Sequence, residues 1–225
     1  MLIGGMQKMT LLDFPGKVAC IIFTHGCNLR CPYCHNAPLV TGAYEGISED
    51  EVFSFLKKRT GILDGVCISG GEPLLQKDIL SFMERVGALG YSVKLDTNGT
   101  SPDRLREAVA SGLCDYVAMD IKNSREKYRA TVGADVSMAD IERSVSYLLS
   151  GAVEYEFRTT VTRELHTAED MQRIGRWISG ADRYFLQKYV EGEGHVGGGM
   201  SAPADAEMAA LADAVREFVP SVLVR

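Results

Sequence analysis

Three thiols fall within eight residues: the stretch His25-Gly26-Cys27-Asn28-Leu29-Arg30-Cys31-Pro32-Tyr33-Cys34-His35-Asn36 spaces its cysteines as C-x3-C-x2-C. Three thiolates on one tight loop can each take one iron of a cubane and leave the fourth iron without a protein ligand. An electron-carrying [4Fe–4S] site usually has four cysteines instead. An open iron can bind substrate. Zinc is the competing chemistry, with His35 or His25 as fourth ligand, although a His directly after Cys34 is awkward for a closed tetrahedral site. Cys20, Cys67 and Cys114 stand singly in apolar surroundings and read as small core residues rather than as a disulfide framework.

Four further segments place polar residues at the ends of apolar runs. Gly70-Gly71-Glu72-Pro73 follows the run Gly65–Ser69. Two glycines there let the backbone approach a ligand, Glu72 can accept from an ammonium group, and Pro73 fixes the turn. Alone, this tetrapeptide would be an ordinary turn. Leu95-Asp96-Thr97-Asn98-Gly99 and Ala118-Met119-Asp120-Ile121-Lys122 end the next two runs. Two carboxylates at adjacent strand ends repel unless something positive compensates them, the alternative being a pair of solvated caps. Arg158, in Phe157-Arg158-Thr159-Thr160, is suited by its planar guanidinium to pair with a ligand carboxylate or with one of these aspartates. His166 and His195 lie in polar or glycine-rich stretches, where an exposed, non-functional histidine is the commoner outcome.

The cysteine spacing, with an aromatic residue before the last Cys, resembles the signature of the radical S-adenosylmethionine (SAM) superfamily. The resemblance implies a [4Fe–4S] cluster on Cys27, Cys31 and Cys34 whose open iron chelates the methionine part of SAM. Reductive cleavage of SAM then gives a 5′-deoxyadenosyl radical. It implies that Tyr33 packs next to the adenine and that Gly70, Gly71, Glu72 and Pro73, with Ser69 beside them, form the element that binds the SAM amino group. The D-T-N-G and D-x-K stretches resemble those of glycyl-radical-enzyme activases. There Asp96, Thr97, the Met119 carbonyl and Asp120 would surround Na⁺ or K⁺ beside the SAM carboxylate, with Lys122 near that carboxylate or the peptide substrate.

Thr10-Leu11-Leu12-Asp13-Phe14-Pro15-Gly16, followed by the cysteine motif, is similar to small activases of anaerobic ribonucleoside-triphosphate reductase. The similarity runs from Gly4 to about Val190. Larger activases insert a ferredoxin-like segment with extra cysteines after the first strand, whereas Ala37–Gly65 has none, so one cluster is expected. The implied partner is a glycyl radical enzyme, and the implied electron source is a low-potential donor such as flavodoxin or ferredoxin. A radical SAM enzyme acting on a small molecule or short peptide is the alternative.

The elements that must position these residues follow from the apolar pattern. Strands are expected at Val18–Thr24, Gly65–Ser69, Tyr91–Asp96, Asp115–Asp120, Glu154–Thr160 and Arg183–Val190, preceded by a short strand in Gly4–Gly16 and followed by Ser221–Val224. Helical periodicity marks Asp78–Leu89, Met138–Leu149, Ala168–Ile178 and Asp205–Phe218. Ser48-Glu49-Asp50-Glu51 is a capping box that opens a helix to about Arg59, and Ser101-Pro102 opens another. Strands alternating with helices imply a parallel sheet with right-handed crossovers: an α/β fold, here a partial (β/α)6 barrel of the TIM type, with its chemistry at the strands' carboxyl ends. Glu191–Pro203, with five glycines, reads as a surface linker, with a lid as the alternative.

The length of 225 residues suits one domain, 1–225. Lys plus Arg number 24 and Asp plus Glu 30, a net charge of −6 without a basic stripe, which argues against nucleic acid. No apolar run approaches the roughly 18 residues of a membrane span. The first ten residues do not resemble a secretory signal, so a cytoplasmic location is the expectation.

Overall fold

The computed structural model describes every residue of the chain except Tyr44 and Glu193. Its centre is one eight-stranded sheet whose spatial order equals the sequence order: β1 (Ile3–Thr10), β2 (Ala19–Thr24), β3 (Gly65–Gly70), β4 (Ser92–Thr97), β5 (Tyr116–Asp120), β6 (Glu154–Val161), β7 (Tyr184–Lys188) and β8 (Val222–Val224). β1 is antiparallel to β2, and every later pair is parallel. When strands are added in sequence order through right-handed crossovers, every helix falls on the same face of the sheet. The other face is the inside of an open barrel. The six expected strands are all present, with bounds shifted by one or two residues.

The crossovers carry α1 (Ala37–Thr41) and α2 (Glu49–Arg59) before β3, α3 (Ile79–Gly87) before β4, and α4 (Pro102–Ala110) before β5. After β5 come α5 (Tyr128–Val132) and α6 (Met138–Leu149), then α7 (Ala168–Trp177), and α8 (Asp205–Arg216) between β7 and β8. The Ser48 capping box forms with both of its bonds, and Thr167 with Asp170 makes a second one at α7. Ser101 stands at the start of α4 without a side-chain cap bond, so Pro102 alone marks that end. No helix among the described residues is long and apolar enough to cross a membrane.

Strand alternation sorts the two faces. Ile22, Ile68, Leu95, Val117, Phe157 and Leu186 point to the helices and belong to one large buried cluster. Residues of opposite parity point inward: Ala19, Ile21, Cys67 and Tyr116 with Phe14 form a separate small apolar floor. On the same inward face Lys94, Asp96, Asp120, Glu156 and Arg158 make the upper interior charged, as their cross-strand register requires. Cys20 and Cys67 are fully buried and Cys114 nearly so, and burial raises the Cys20 and Cys114 thiols to about 12. These three are inert core residues, as their surroundings in the sequence suggest.

Candidate functional site

One cavity at the carboxyl ends of the strands is lined by Cys27, Cys31, Cys34, Tyr33, Ser69, Gly70, Gly71, Glu72, Asp96, Thr97, Asp120, Lys122 and Arg158. The fold thus gathers, from five separate strand ends, nearly every residue that the sequence singles out. Pro73 lies just behind the wall, buried at the start of a 3-10 turn. The Met119 side chain is fully buried against Gly99, while its backbone stands in register with Thr97. Asn36, Asn98, Thr160 and Gln187 also face the cavity.

The cysteine loop is tied down on several sides. Arg30 N–H donates to the Val132 carbonyl (2.8 Å) and Cys34 N–H to the Cys31 carbonyl (3.1 Å). The Asn98 side chain reaches Asn28 Oδ1 (2.9 Å) and lies 3.9 Å from Cys27 Sγ. Burial pushes the Cys31 thiol up to about 11 and raises that of Cys27, although the nearby Lys122 ammonium works the other way. Burial disfavours a bare thiolate here, and a metal that displaces the thiol proton supplies the compensating positive charge. Three soft sulfur donors face one cavity, and the other three cysteines lie in the core. This donor set fits a cluster with one open position.

Glu72 sits in a corner made by the strand ends. Its Oε1 accepts from Thr97 Oγ1 (2.8 Å) and Leu74 N–H (3.1 Å), and its Oε2 from Asn98 N–H (2.7 Å). It is 1% exposed, and no cationic side chain of the described residues pairs with it. Burial therefore outweighs the three donors and raises its pKa to about 7. A carboxylate so placed is suited to an ammonium ligand. The glycines before it are obligatory: a Cβ on Gly71 would lie 2.0 Å from the Gly26 carbonyl oxygen, and Gly70 has φ +113° with Thr24 backbone 2.4 Å from its own Cβ position.

The opposite wall is a ladder of alternating charge. Lys94 Nζ pairs with Asp96 Oδ1; Arg158 Nη1 meets Asp96 Oδ2 at 3.2 Å while its Nε donates to Asp120 Oδ1 at 2.9 Å; Lys122 Nζ meets Asp120 Oδ2 at 2.8 Å. Ser69 Oγ also donates to Asp96 Oδ2 (3.0 Å). The cations hold Asp96 and Asp120 below the usual carboxylate range despite their burial. Asp96 and Asp120 are thus not solvated caps, and the positive charge expected beside them comes from the chain itself. Each oxygen of both carboxylates faces a cationic nitrogen, and Thr97 Oγ1 donates to Glu72.

Two histidines depart from expectation. His166 is 4% exposed rather than solvated: its Nδ1 accepts from Thr162 N–H (3.1 Å) and its Nε2 lies 3.0 Å from the Lys122 carbonyl, fixing the backbone beneath Lys122. His195 belongs to the glycine-rich stretch, which rests on the cysteine loop rather than running free. Its Nε2 is 2.8 Å from His35 Nδ1, Val196 N–H donates to the Cys34 carbonyl (3.2 Å), and Gly197 N–H donates to the Pro32 carbonyl (2.9 Å). The Nδ1 of His35 is thereby engaged, while its ring also lines the cavity. No periodicity marks this contact, because it is made between loops far apart in sequence.

Known proteins resemble this chain. A "Putative glycyl-radical enzyme activating enzyme" of Methanocaldococcus jannaschii is 29% identical, over all of this chain and 95% of that protein. A 7-carboxy-7-deazaguanine synthase of Koribacter versatilis is 42% identical over 61% of this chain and 59% of its own length. Among solved structures, Streptococcus suis SuiB superposes with a TM-score of 0.71 at 15% identity, over 91% of this chain and 48% of that one, a likeness of fold alone. The family model described as the radical SAM superfamily matches residues 21–177, from the second strand through the seventh helix, so that motif, barrel and cavity agree and the chain belongs to the radical SAM superfamily.

Proposed function

We propose that the chain is an activase: with SAM and a reduced [4Fe–4S] cluster, it removes a hydrogen from a glycine of a partner glycyl radical enzyme, here anaerobic ribonucleotide reductase. The observation that carries this reading is the relationship over the whole chain to a protein named as an activating enzyme. The crossover between β2 and β3 holds two helices and no cysteine beyond the motif, which supports a single cluster fed by an external flavodoxin or ferredoxin.

When bound, the cluster and SAM supply one-electron C–S cleavage and a hydrogen-abstracting deoxyadenosyl group. The chain's residues bind and orient. Cys27, Cys31 and Cys34 hold the iron. Glu72, lacking a cation of its own, receives the SAM ammonium while Gly70 and Gly71 let the backbone close on it, with Ser69 and Pro73 shaping the turn. Lys122 and Arg158 face the SAM carboxylate, and Asp96 and Asp120 keep those two cations fixed. Tyr33, buried with its hydroxyl unpartnered, would pack beside the adenine. The open barrel leaves a path for a partner loop, and orientation together with exclusion of water is the protein's share of the rate.

Anaerobic incubation with SAM, dithionite and the partner should give a glycyl-radical EPR doublet on the partner, and deuterium at its glycine should pass into 5′-deoxyadenosine. Cys31→Ala should abolish both. A second reading, modification of a small molecule, is favoured by the synthase relative at 42% identity. Deuterium transfer from a metabolite, with no radical on any candidate protein, would establish it instead.

A further inference from the structure

The two limbs of the cysteine loop are held by different parts of the chain. On the Cys27 side nearby helices hold it: Gly26 N–H donates to the carbonyl of Leu39 in α1 (2.8 Å), and Arg30 N–H to that of Val132 in α5 (2.8 Å). On the Cys34 side the Pro32 and Cys34 carbonyls accept from Gly197 N–H (2.9 Å) and Val196 N–H (3.2 Å). These donors belong to the connection between β7 and α8, residues 189–204, which is far longer than the roughly two to six residues usual between a strand and a helix. Its extra length is laid on the cysteine loop. Tyr189 N–H donates to the Val161 carbonyl (3.1 Å) before the contact, and Ser201 N–H donates to Glu164 Oε2 (2.9 Å) after it, so the segment is pinned on both sides.

We propose that residues 194–202 form a strap that keeps the limb 31–34 in its ligating shape, so that His195, Val196 and Gly197 are positioning residues for the iron–sulfur cluster. The inference rests on the proposed assignment of the cluster to Cys27, Cys31 and Cys34, and not on the activase reading. Three separate contacts carry it. The two backbone bonds fall on Pro32 and Cys34, on either side of Tyr33 and within the limb that bears two of the three thiols. Beside them the side chains meet in a fixed sense: the Gly192 carbonyl can only accept, so His195 Nδ1 donates to it (2.8 Å), and in neutral rings His195 Nε2 then accepts from His35 Nδ1–H (2.8 Å). The Tyr189 ring packs against both histidines, with centroids 5.0 and 5.6 Å away. Third, the backbones touch because Gly197 has no side chain: a Cβ there would lie 2.8 Å from Pro32 Cβ and 3.0 Å from Pro32 Cα, atoms of a ring and a backbone that cannot turn aside. The neighbouring Gly198 has nothing within 4 Å of its Cβ position, so the close approach is confined to the contact itself. A limb fixed beforehand loses little conformational freedom when its thiolates converge on iron, and it resists swinging away to release it.

The test compares alanine at two adjacent glycines, neither of which has the positive φ that would strain it. After anaerobic reconstitution, loss of iron to a ferrous chelator is followed by absorbance, and urea unfolding is measured on the cluster-free proteins. Gly197→Ala should release iron about tenfold faster than the parent, the factor expected when backbone hydrogen bonds of the contact are lost, and Gly198→Ala should stay within about twofold. The urea midpoint should be the same for all three, because the strap bears on the loop and not on the sheet. Equal release from the two alanine variants overturns the proposal. So does a Gly197→Ala midpoint that falls in step with the faster release, which would make the contact a general support of the fold. If Gly197→Ala does not fold, His195→Ala is read in the same way: release about threefold faster at an unchanged midpoint is expected, and release at the parent rate overturns the strap. A parent that takes up no iron and sulfide on reconstitution overturns the cluster assignment itself, a different failure from any of these.

Discussion

Glu72 and the Asp96–Asp120 pair are carboxylates of one cavity, held in opposite ways. Glu72 is satisfied by neutral donors alone, two backbone N–H groups and a hydroxyl, and burial lifts its pKa to about 7. The aspartates are interleaved with Lys94, Arg158 and Lys122, and their pKa values fall. One wall brings its own counter-ions before a ligand arrives, with one positive charge to spare, whereas the other waits for a positive charge. A zwitterionic amino-acid group, bound as proposed with its ammonium toward Glu72 and its carboxylate toward Lys122 and Arg158, would be given a direction as well as a place by this asymmetry.

Breaking the ion-paired wall should have the largest effect. Asp120→Asn leaves Lys122 without its carboxylate and Arg158 with only Asp96. Because the Asp120 side chain is still 26% exposed, the loss is set at the lower end for a broken buried pair, about 3 kcal/mol at pH 7, read from urea unfolding of the cluster-free protein. A change below about 0.5 kcal/mol would mean that solvent already screens this wall and that the two corners do not differ as described.

The pH profile sharpens the contrast. A carboxyl whose folded pKa is raised supports the fold while protonated and loses that support as pH rises through the folded value. For Glu72, between about 4.5 and about 7, the loss approaches 3 kcal/mol. The aspartates have the opposite sign: their lowered pKa values support the fold above about pH 4, and that support goes as pH falls further. His166, buried and held neutral with a lowered pKa, gains stability as pH rises and so opposes Glu72 in part. The measurement is therefore the difference between proteins. Glu72→Gln should become progressively more stable relative to the parent from pH 4.5 to pH 8, with the acid limb unchanged, whereas Asp120→Asn should flatten the acid limb alone. Parallel profiles for all three would remove the distinction.

Much of this site can be read in the sequence because its residues lie at the ends of strongly apolar strands, where short motifs and strand termini coincide. The ladder's lower half cannot. In Ser92-Val93-Lys94-Leu95-Asp96 the alternation reads as a half-buried strand with Lys94 turned to water, and only closure of the sheet into a barrel makes the polar face the inner one. Glu156 is hidden by the same ambiguity, buried in the interior against Tyr116 and Arg225. His166 looks like a loop residue because its partners, the Thr162 amide and the Lys122 carbonyl, are backbone groups that carry no side-chain signal. The five-residue helices α1 and α5 are too short for a helical period to show.

The smallest effects come from removing one hydroxyl from each wall, and they test the comparison most directly. Ser69→Ala deletes a neutral donor from Asp96, which keeps Lys94 and Arg158; with two cations remaining, the loss should be under about 1 kcal/mol at pH 7. Thr97→Val keeps the shape of a buried side chain but takes one of three neutral donors from Glu72, which has no cation to fall back on. A hydrogen bond to a charged group is worth roughly 1.5–3 kcal/mol, so about 2 kcal/mol should be lost where Glu72 is ionised and distinctly less where it is protonated. The valine variant should therefore show a steeper fall in stability between pH 5 and pH 8 than the parent, from a Glu72 pKa raised further, while the Ser69 variant runs parallel to the parent. If Ser69→Ala proved the more damaging of the two, or if the cost of Thr97→Val did not vary with pH, neutral donors would not be what holds the Glu72 charge, and the division of the cavity into an ion-paired wall and a waiting one would fail.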